Sequence, residues 1–127
     1  MRAGKGHILV VDDSWTNLAL MSRALADAGY TVTTAADGKE AIEKARAERP
    51  DCVILDVVLP GQSGFQLCRH LKQSAEGRYV PVILVSVKKT PLDVQWGLQQ
   101  GADAYLIKPF TPHELLSTVD RVLTSQR

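Results

Sequence analysis

Short apolar runs alternate along the chain with longer segments in which apolar residues recur at helical spacing. Five of the short runs predict β-strands, near residues 7–11, 30–35, 52–56, 81–86 and 103–107. The first, third and fourth runs are almost wholly apolar, which is typical of parallel strands covered on both faces. We therefore expect these three strands to occupy the centre of a sheet.

The longer segments predict five helices, over residues 15–28, 38–48, 64–73 and 91–100 and from residue 112 onwards. The fifth has the clearest start, with Thr111 as N-cap, Pro112 at the first helical position and Glu114 completing a capping box. Regular alternation of strands and helices indicates βαβ units. The predicted fold is α/β, a doubly wound five-stranded parallel sheet with strand order 2-1-3-4-5.

Length and charge narrow the function classes. The 127 residues suit one domain, predicted over 7–124, with a flexible amino terminus at 1–6 and a tail at 125–127. A formal charge of +1 provides no overall field for direct binding of nucleic acid or of a membrane surface. No apolar stretch is long enough for membrane insertion, and the two cysteines lack disulfide or metal-site spacing, so a cytoplasmic protein is expected.

Four of the predicted strands end in polar residues of different chemical types. Asp12 and Asp13 follow the first strand, Asp56 ends the third, Ser86 ends the fourth and Lys108 follows the fifth. The carboxyl ends of parallel strands lie along one edge of a sheet, where α/β proteins bind ligands. The sequence therefore predicts one site with three carboxylates, a hydroxyl and an ammonium group.

This set of groups suits phosphoryl transfer. Two carboxylates about 4 Å apart repel by roughly 1 to 4 kcal/mol, and Mg²⁺ removes that repulsion. Because adjacent side chains diverge, we expect only one of Asp12 and Asp13 to bind the metal directly and the other to act through water. Asp56 is the expected nucleophile, with Lys108 on the transferred oxygens and Ser86 at the bound phosphoryl group.

Each of these residues also has a purely structural interpretation. Asp12 or Asp13 could cap the first helix, Asp56 could be a turn residue, Ser86 a cap, and Lys108 a solvated charge. Any one of these is reasonable alone. Their joint occurrence at four strand ends favours a functional site.

The segments that carry these residues resemble the receiver domain of two-component response regulators. The matching segments are ILVVDD at 8–13, VILDVVLPGQSGF at 53–65, PVILVS at 81–86 and GADAYLIKPF at 101–110. The chain is similar to stand-alone chemotaxis-type regulators, which have a flavodoxin-like fold. The segment DVQWGLQQG at 93–101 also resembles twitching-motility regulators.

The resemblance implies a phosphoacceptor signalling domain and not a turnover enzyme. In such a domain Asp56 accepts a phosphoryl group from a histidine of a sensor kinase. Asp13, Asp56 and the main-chain carbonyl of Val58 bind Mg²⁺ or Mn²⁺, and Asp12 assists directly or through water. The only reactions of the domain itself are then autophosphorylation and autodephosphorylation.

The resemblance also implies a two-state switch. Lys108 pairs with the carboxylate and precedes a cis bond to Pro109, while Ser86 and Tyr105 are the switch residues. On phosphorylation Ser86 moves toward the phosphoryl group and Tyr105 moves inward, which changes a surface made by helix four, strand five and helix five. That surface is expected to bind a downstream protein, and a weak homodimer is a further expectation.

Three features depart from the usual pattern or stand out. Val87 replaces a very small residue and is expected to narrow access to Asp56. Val58 is apolar where many relatives are larger or polar. In predicted helix four, Gly97 costs up to about 1 kcal/mol of helix stability, and Trp96 is either exposed or packed on the sheet.

Three alternatives compete with a phosphorylated receiver. A degenerate receiver would signal without phosphate, but the acidic set and Lys108 are complete. A haloacid-dehalogenase-like aspartyl phosphatase needs a second aspartate at the position of Val58. A flavin-binding module needs a phosphate loop after strand one, where Asp12 and Asp13 would repel phosphate.

Overall fold

The computed structural model describes residues 5–73 and 80–125. The strands are β1 (Gly6–Val11), β2 (Tyr30–Ala35), β3 (Cys52–Asp56), β4 (Val82–Ser86) and β5 (Ala104–Ile107). The helices are α1 (Trp15–Asp27), α2 (Gly38–Glu48), α3 (Gly64–Gln73), α4 (Pro91–Gln99) and α5 (Pro112–Ser125). The ten elements alternate as the sequence predicts.

All five strands form one parallel sheet in the order β2-β1-β3-β4-β5, which confirms the predicted topology. Predicted boundaries differ from the observed ones by about one residue. Helix α1, for example, ends at Asp27 because Ala28 is its C-cap, and α4 ends at Gln99 because Gln100 caps it before Gly101 turns left-handed (φ +102°). Residues 1–4, residues 74–79, which follow the third predicted helix, and residues 126–127 lie outside the described residues.

The core has two parts, one on each face of the sheet. Alternate residues of the strands pack against α1 and α5 on one face, and the others pack against α2 and α3 on the opposite face. Every residue of β3 and β4 is buried, and so is all of β1 except His7. The prediction that these strands are central is therefore confirmed, and the polar residues at their ends belong to a rigid scaffold.

Side-chain caps fix where the helices begin. The cap of α1 is Ser14, whose hydroxyl accepts from the N–H of Asn17 (3.2 Å), so the interpretation of Asp12 or Asp13 as N-cap is wrong. The predicted capping box of α5 is present, because the Thr111 hydroxyl accepts from Glu114 N (3.1 Å) and the Glu114 carboxylate accepts from Thr111 N (2.9 Å). With Ser14 as the cap, both aspartates are left available for other contacts.

Helix α4 is short and largely exposed. Gly97 is its only buried residue, whereas Leu92, Trp96 and Leu98 are exposed. The exposed fraction of Trp96 is 52%, which excludes the alternative in which it packs fully on the sheet. An almost unburied helix of nine residues owes little of its position to core packing.

The amino edge of the sheet, where the strands begin, is fastened by side-chain bonds to the backbone. Asp51 accepts from the N–H of His7 (2.7 Å), and Asp103 accepts from the N–H of Val82 (2.8 Å). Lys72 donates to the same carboxylate oxygen of Asp103 at 2.8 Å. These bonds tie α3, β4 and the start of β5 together at the end opposite to the predicted site.

Both cysteines are free and buried, Cys52 on the α1/α5 face and Cys68 on the α2/α3 face. Burial raises the pKa of Cys68 to about 11 and that of Cys52 to about 12, so both thiols stay protonated at neutral pH. Among the described residues, no helix has the length and apolar character needed to cross a membrane.

Candidate functional site

Three carboxylates meet at the carboxyl edge of the central strands. Asp12 and Asp13 follow β1, and Asp56 is the last residue of the adjacent strand β3. Each offers one carboxylate oxygen within 4.8 Å of the oxygens of the other two. The winding of the chain thus brings together the three acidic side chains that the sequence places at strand ends.

Asp12 is fully buried and held by three donors. Its Oδ1 accepts from the N–H of Ser14 (2.9 Å), and its Oδ2 accepts from Asn17 Nδ2 (3.3 Å) and from Lys108 Nζ (3.0 Å). Several donors hold a buried carboxylate in one orientation. Asp12 is therefore a fixed group at the floor of the site.

Asp56 is 6% exposed and lies within reach of the same lysine. Its Oδ1 accepts from the N–H of Val58 (3.3 Å), and its Oδ2 is 3.4 Å from Lys108 Nζ. Burial raises the pKa of Asp56, and the Lys108 ammonium acts in the opposite direction. The carboxylate is thus sheltered from bulk water and faces a cation.

Asp13 differs from its neighbour in being exposed. Among the described residues, no donor contacts its carboxylate, so its oxygens are open to a ligand from solution. Asp12, in contrast, already uses both oxygens on protein donors. The two adjacent aspartates therefore have different surroundings, which agrees with the expectation that they act differently toward a metal.

The three carboxylates fit a hard divalent cation. They bring three negative charges within 4.8 Å against the single positive charge of Lys108. Oxygen ligands of this kind are those that Mg²⁺ and Mn²⁺ bind, with water completing the shell. A main-chain ligand from Val58 stays a prediction; its side chain is 56% exposed beside the site.

Ser86 and Tyr105 are connected through the backbone of Lys88. Ser86, fully buried at the end of β4, accepts from the N–H of Lys88 at Oγ (3.0 Å). The Tyr105 hydroxyl donates to the carbonyl of Lys88 (2.7 Å). Burial raises the pKa of Tyr105, so that its hydroxyl remains a donor at neutral pH. The two predicted switch residues thus hold the same loop residue from opposite sides.

A common turn explains how the strand ends present their side chains. Asp12, Asp56 and Ser86 each accept the N–H of the residue two positions further along the chain. Such bonds turn the backbone sharply out of the strand. The turn interpretation of Asp56 is therefore correct for its local geometry, and it coexists with the clustering that makes a site.

Lys108 comes from the far side of the cluster, on the loop after β5. Its backbone N–H donates to Ser86 O (2.8 Å), and its bond to Pro109 is cis, as the family resemblance implies. A groove of about 460 Å³ between α1 and α5 is lined by Lys108, Val87 and Phe110, among others. Val87 is 65% exposed and lines this groove with the lysine, and its effect on access to Asp56 stays a prediction.

Two supporting residues escaped the sequence reasoning. Asn17 donates to Asp12. The sequence signal for this contact was that Asn17 lies in the first turn of a helix that begins soon after Asp12. Gly64 packs so closely under the site that a Cβ there would lie 2.2 Å from the carbonyl oxygen of Asp56. Its place at the start of α3, after the loop that follows β3, gave only a weak signal.

The fold and this cluster define a class of protein. The chain belongs to the response regulator receiver domain family, whose model matches residues 8–120. Receiver domains are phosphoacceptor signalling domains of two-component systems, and the chain is one of these.

Particular relatives narrow the class. The chain is 42% identical over 117 residues to PilH of Pseudomonas aeruginosa, covering 92% of this chain and 97% of that protein. It is also similar to the chemotaxis response regulator CheY4 of Vibrio cholerae, with a TM-score of 0.87, 39% identity and coverage of 91% and 97%. PhoP of Bacillus subtilis, a transcriptional regulatory protein, is 40% identical, but the match spans 91% of this chain and only 48% of PhoP.

Proposed function

We propose that Asp56 accepts a phosphoryl group from a phosphohistidine of a partner sensor kinase in a reaction that requires Mg²⁺ or Mn²⁺. A carboxylate oxygen bonds to phosphorus while the phosphorus–nitrogen bond breaks, and the released imidazole nitrogen is protonated. The observation that carries the proposal is the position of Asp56, buried beside Lys108 (3.4 Å) and clustered with two further carboxylates. Among the described residues, these three aspartates form the one group of acidic, histidine or cysteine side chains close enough to hold a metal ion.

Asp13, Asp56 and the carbonyl of Val58 are the proposed metal ligands, with Asp12 assisting directly or through water. The open carboxylate of Asp13 and the fully engaged carboxylate of Asp12 support this division. When bound, the cation supplies positive charge to the oxygens of the transferred group. Asp12 meanwhile fixes Lys108 through the 3.0 Å ion pair, so that the ammonium stays beside the acceptor.

Lys108 supplies the second positive charge. Its Nζ lies between Asp12 and Asp56, and its side chain is 17% exposed. An ammonium so placed attracts the phosphoryl oxygens as charge spreads over them, without a rearrangement of the site. The domain is proposed to catalyse only its own phosphorylation from small donors and its own dephosphorylation.

The proposed output is contact with a downstream protein through α4, β5 and α5, with a weak homodimer as a further expectation. The exposed apolar side chains of α4, Leu92, Trp96 and Leu98, support a protein surface there. The bonds of Ser86 and Tyr105 to Lys88 connect the loop that leads into that helix to the acceptor site. The similarity to CheY4, a chemotaxis protein, agrees with such an output.

Observations of the site weigh against the alternatives. A degenerate receiver does not need a lysine at the acceptor site, whereas here Lys108 lies between two buried carboxylates. An aspartyl phosphatase of the haloacid-dehalogenase type needs an aspartate at position 58 as its acid/base group, and Val58 presents an apolar side chain there. The acidic cluster after β1 is incompatible with flavin phosphate.

Intact-mass measurement tests the acceptor. Wild type incubated with acetyl phosphate and Mg²⁺ is expected to gain one phosphoryl mass, and Asp56→Asn is expected to gain none. Asp27→Asn, an exposed aspartate at the end of α1, is the matched control and should label like wild type. Equal labelling of Asp56→Asn and wild type would defeat the assignment.

Ser86→Ala tests the switch separately. This variant should still be labelled, because Asp56 and Lys108 are intact, but phosphorylation should no longer change partner binding. Undiminished phospho-dependent binding of Ser86→Ala would count against Ser86 as a switch residue.

A further inference from the structure

Gly97 occupies a position where a side chain would fit only if its neighbours shifted. A Cβ built on it would lie 2.9 Å from Leu84 Cδ1 and 2.9 Å from Tyr105 Cδ2. Real Cβ atoms do not approach other atoms so closely. The ring of Tyr105 therefore lies directly against the backbone of α4, and glycine at position 97 allows this contact without displacing Leu84, the ring or the helix.

The same ring is fixed at its other end. The Tyr105 hydroxyl donates to Lys88 O (2.7 Å), and Lys88 N donates to Ser86 Oγ (3.0 Å). A continuous series of contacts thus runs from Ser86 through Lys88 and Tyr105 to Gly97. It joins the end of β4, where the acceptor site lies, to a helix that has no other buried residue.

We propose that Gly97 is a positioning residue of the switch: its lack of a side chain lets the Tyr105 ring transmit the state of the Ser86 loop to α4. The inference rests on the proposed function, since the signal is phosphorylation of Asp56. It assigns a role to a glycine that otherwise only weakens the helix. A methyl group at position 97 would displace the ring or the helix and so break the series between Tyr105 and α4.

The expected consequence is a protein that is phosphorylated normally but transmits nothing to α4. Gly97 is remote in the chain from Asp56 and contacts none of the three carboxylates, so Gly97→Ala should still accept phosphate. Trp96, the neighbouring residue and 52% exposed, reports the surroundings of α4 by fluorescence. The other tryptophan, Trp15, is removed by a Trp15→Phe background.

The experiment records Trp96 emission before and after phosphorylation with acetyl phosphate and Mg²⁺, normalised to the phosphorylated fraction from intact mass. Phosphorylation should change the emission in the Trp15→Phe background. Gly97→Ala should lose most of this change in emission. Gln99→Ala, on the exposed surface of α4, is the matched control and should respond fully.

A second variant separates transmission from folding. Tyr105→Phe keeps the ring and loses the hydroxyl bond to Lys88, so it should also respond weakly, and the double variant should be no worse than either single one. A full response from Gly97→Ala or from Tyr105→Phe overturns the inference, as does an emission that phosphorylation does not change in the parent background. Failure of the parent to gain phosphoryl mass would instead contradict the proposed function.

Discussion

Removing the charge of Asp13 should stabilise the metal-free protein. At a separation of 4.8 Å, two unit charges repel by about 1 kcal/mol in water and by about 3 kcal/mol at an effective dielectric of 20. Asp13 faces two such charges, and Lys108 compensates only one of them. Because Asp13 is exposed, the value near water applies. We expect Asp13→Asn to raise the free energy of unfolding without metal by about 1 kcal/mol.

The same substitution should remove most of the stabilisation by Mg²⁺. A ligand at about a hundred times its Kd stabilises the native state by about 2.7 kcal/mol. Asp13 has the open carboxylate among the proposed ligands, so its loss weakens binding and reduces this gain. The two effects have opposite signs, and a general loss of packing would not produce them together.

Urea unfolding of wild type and Asp13→Asn, in EDTA and in Mg²⁺, measures both effects. In EDTA the variant should be the more stable of the two, and thermal unfolding under the same conditions should give it a melting temperature higher by about 4 °C. Asp27→Asn is the control, because its only described ion pair, with Arg23, is exposed and 3.9 Å long. A less stable Asp13→Asn in EDTA, or equal gains from Mg²⁺ in both proteins, would refute the electrostatic reasoning.

Three further substitutions test particular contacts. Gly64→Ala should destabilise the fold by about 3 kcal/mol in urea unfolding, because its Cβ would lie 2.2 Å from the backbone oxygen of Asp56. Val87→Ala should speed labelling by acetyl phosphate, measured by intact mass, and should change stability by less than about 0.5 kcal/mol because Val87 is exposed. Thr111→Ala should cost about 1 kcal/mol of unfolding free energy, because it removes the hydroxyl that caps Glu114 N.

Each of these has a control or a contradicting outcome. A Gly64→Ala protein with the stability of wild type would show that the start of α3 shifts freely away from Asp56, contrary to its close packing. An unchanged labelling rate in Val87→Ala would mean that Val87 does not limit access. Ser117→Ala, on the exposed surface of α5 beyond its first turn, is the control for Thr111→Ala and should cost much less.

The sequence was sufficient for the scaffold and for the charged groups of the site. Strand burial follows from uninterrupted apolar runs such as residues 53–55, and the parallel topology then determines which strand ends are adjacent. Asp12, Asp13, Asp56 and Lys108 meet because each directly follows or ends such a run. For these residues, a place at the end of an apolar run in the chain predicts a place at the carboxyl edge of the sheet.

Other parts depend on close approaches that no local pattern encodes. Gly97 appears from the sequence as a flaw in a helix, and only the positions of Leu84 and Tyr105 explain it. Gly64 is similar, since its constraint is the backbone of Asp56. The contact between Tyr105 and Lys88 involves a main-chain carbonyl, which carries no residue-specific signal.

The bonds at the amino edge of the sheet have a practical implication for engineering. Asp51 and Asp103 secure the strand starts, at the end of the molecule remote from Asp56. Substitutions that strengthen this end should raise thermal tolerance while leaving phosphorylation chemistry unaltered. The amino edge of the sheet can therefore be redesigned for stability, whereas the residues at the carboxyl edge should be kept unchanged.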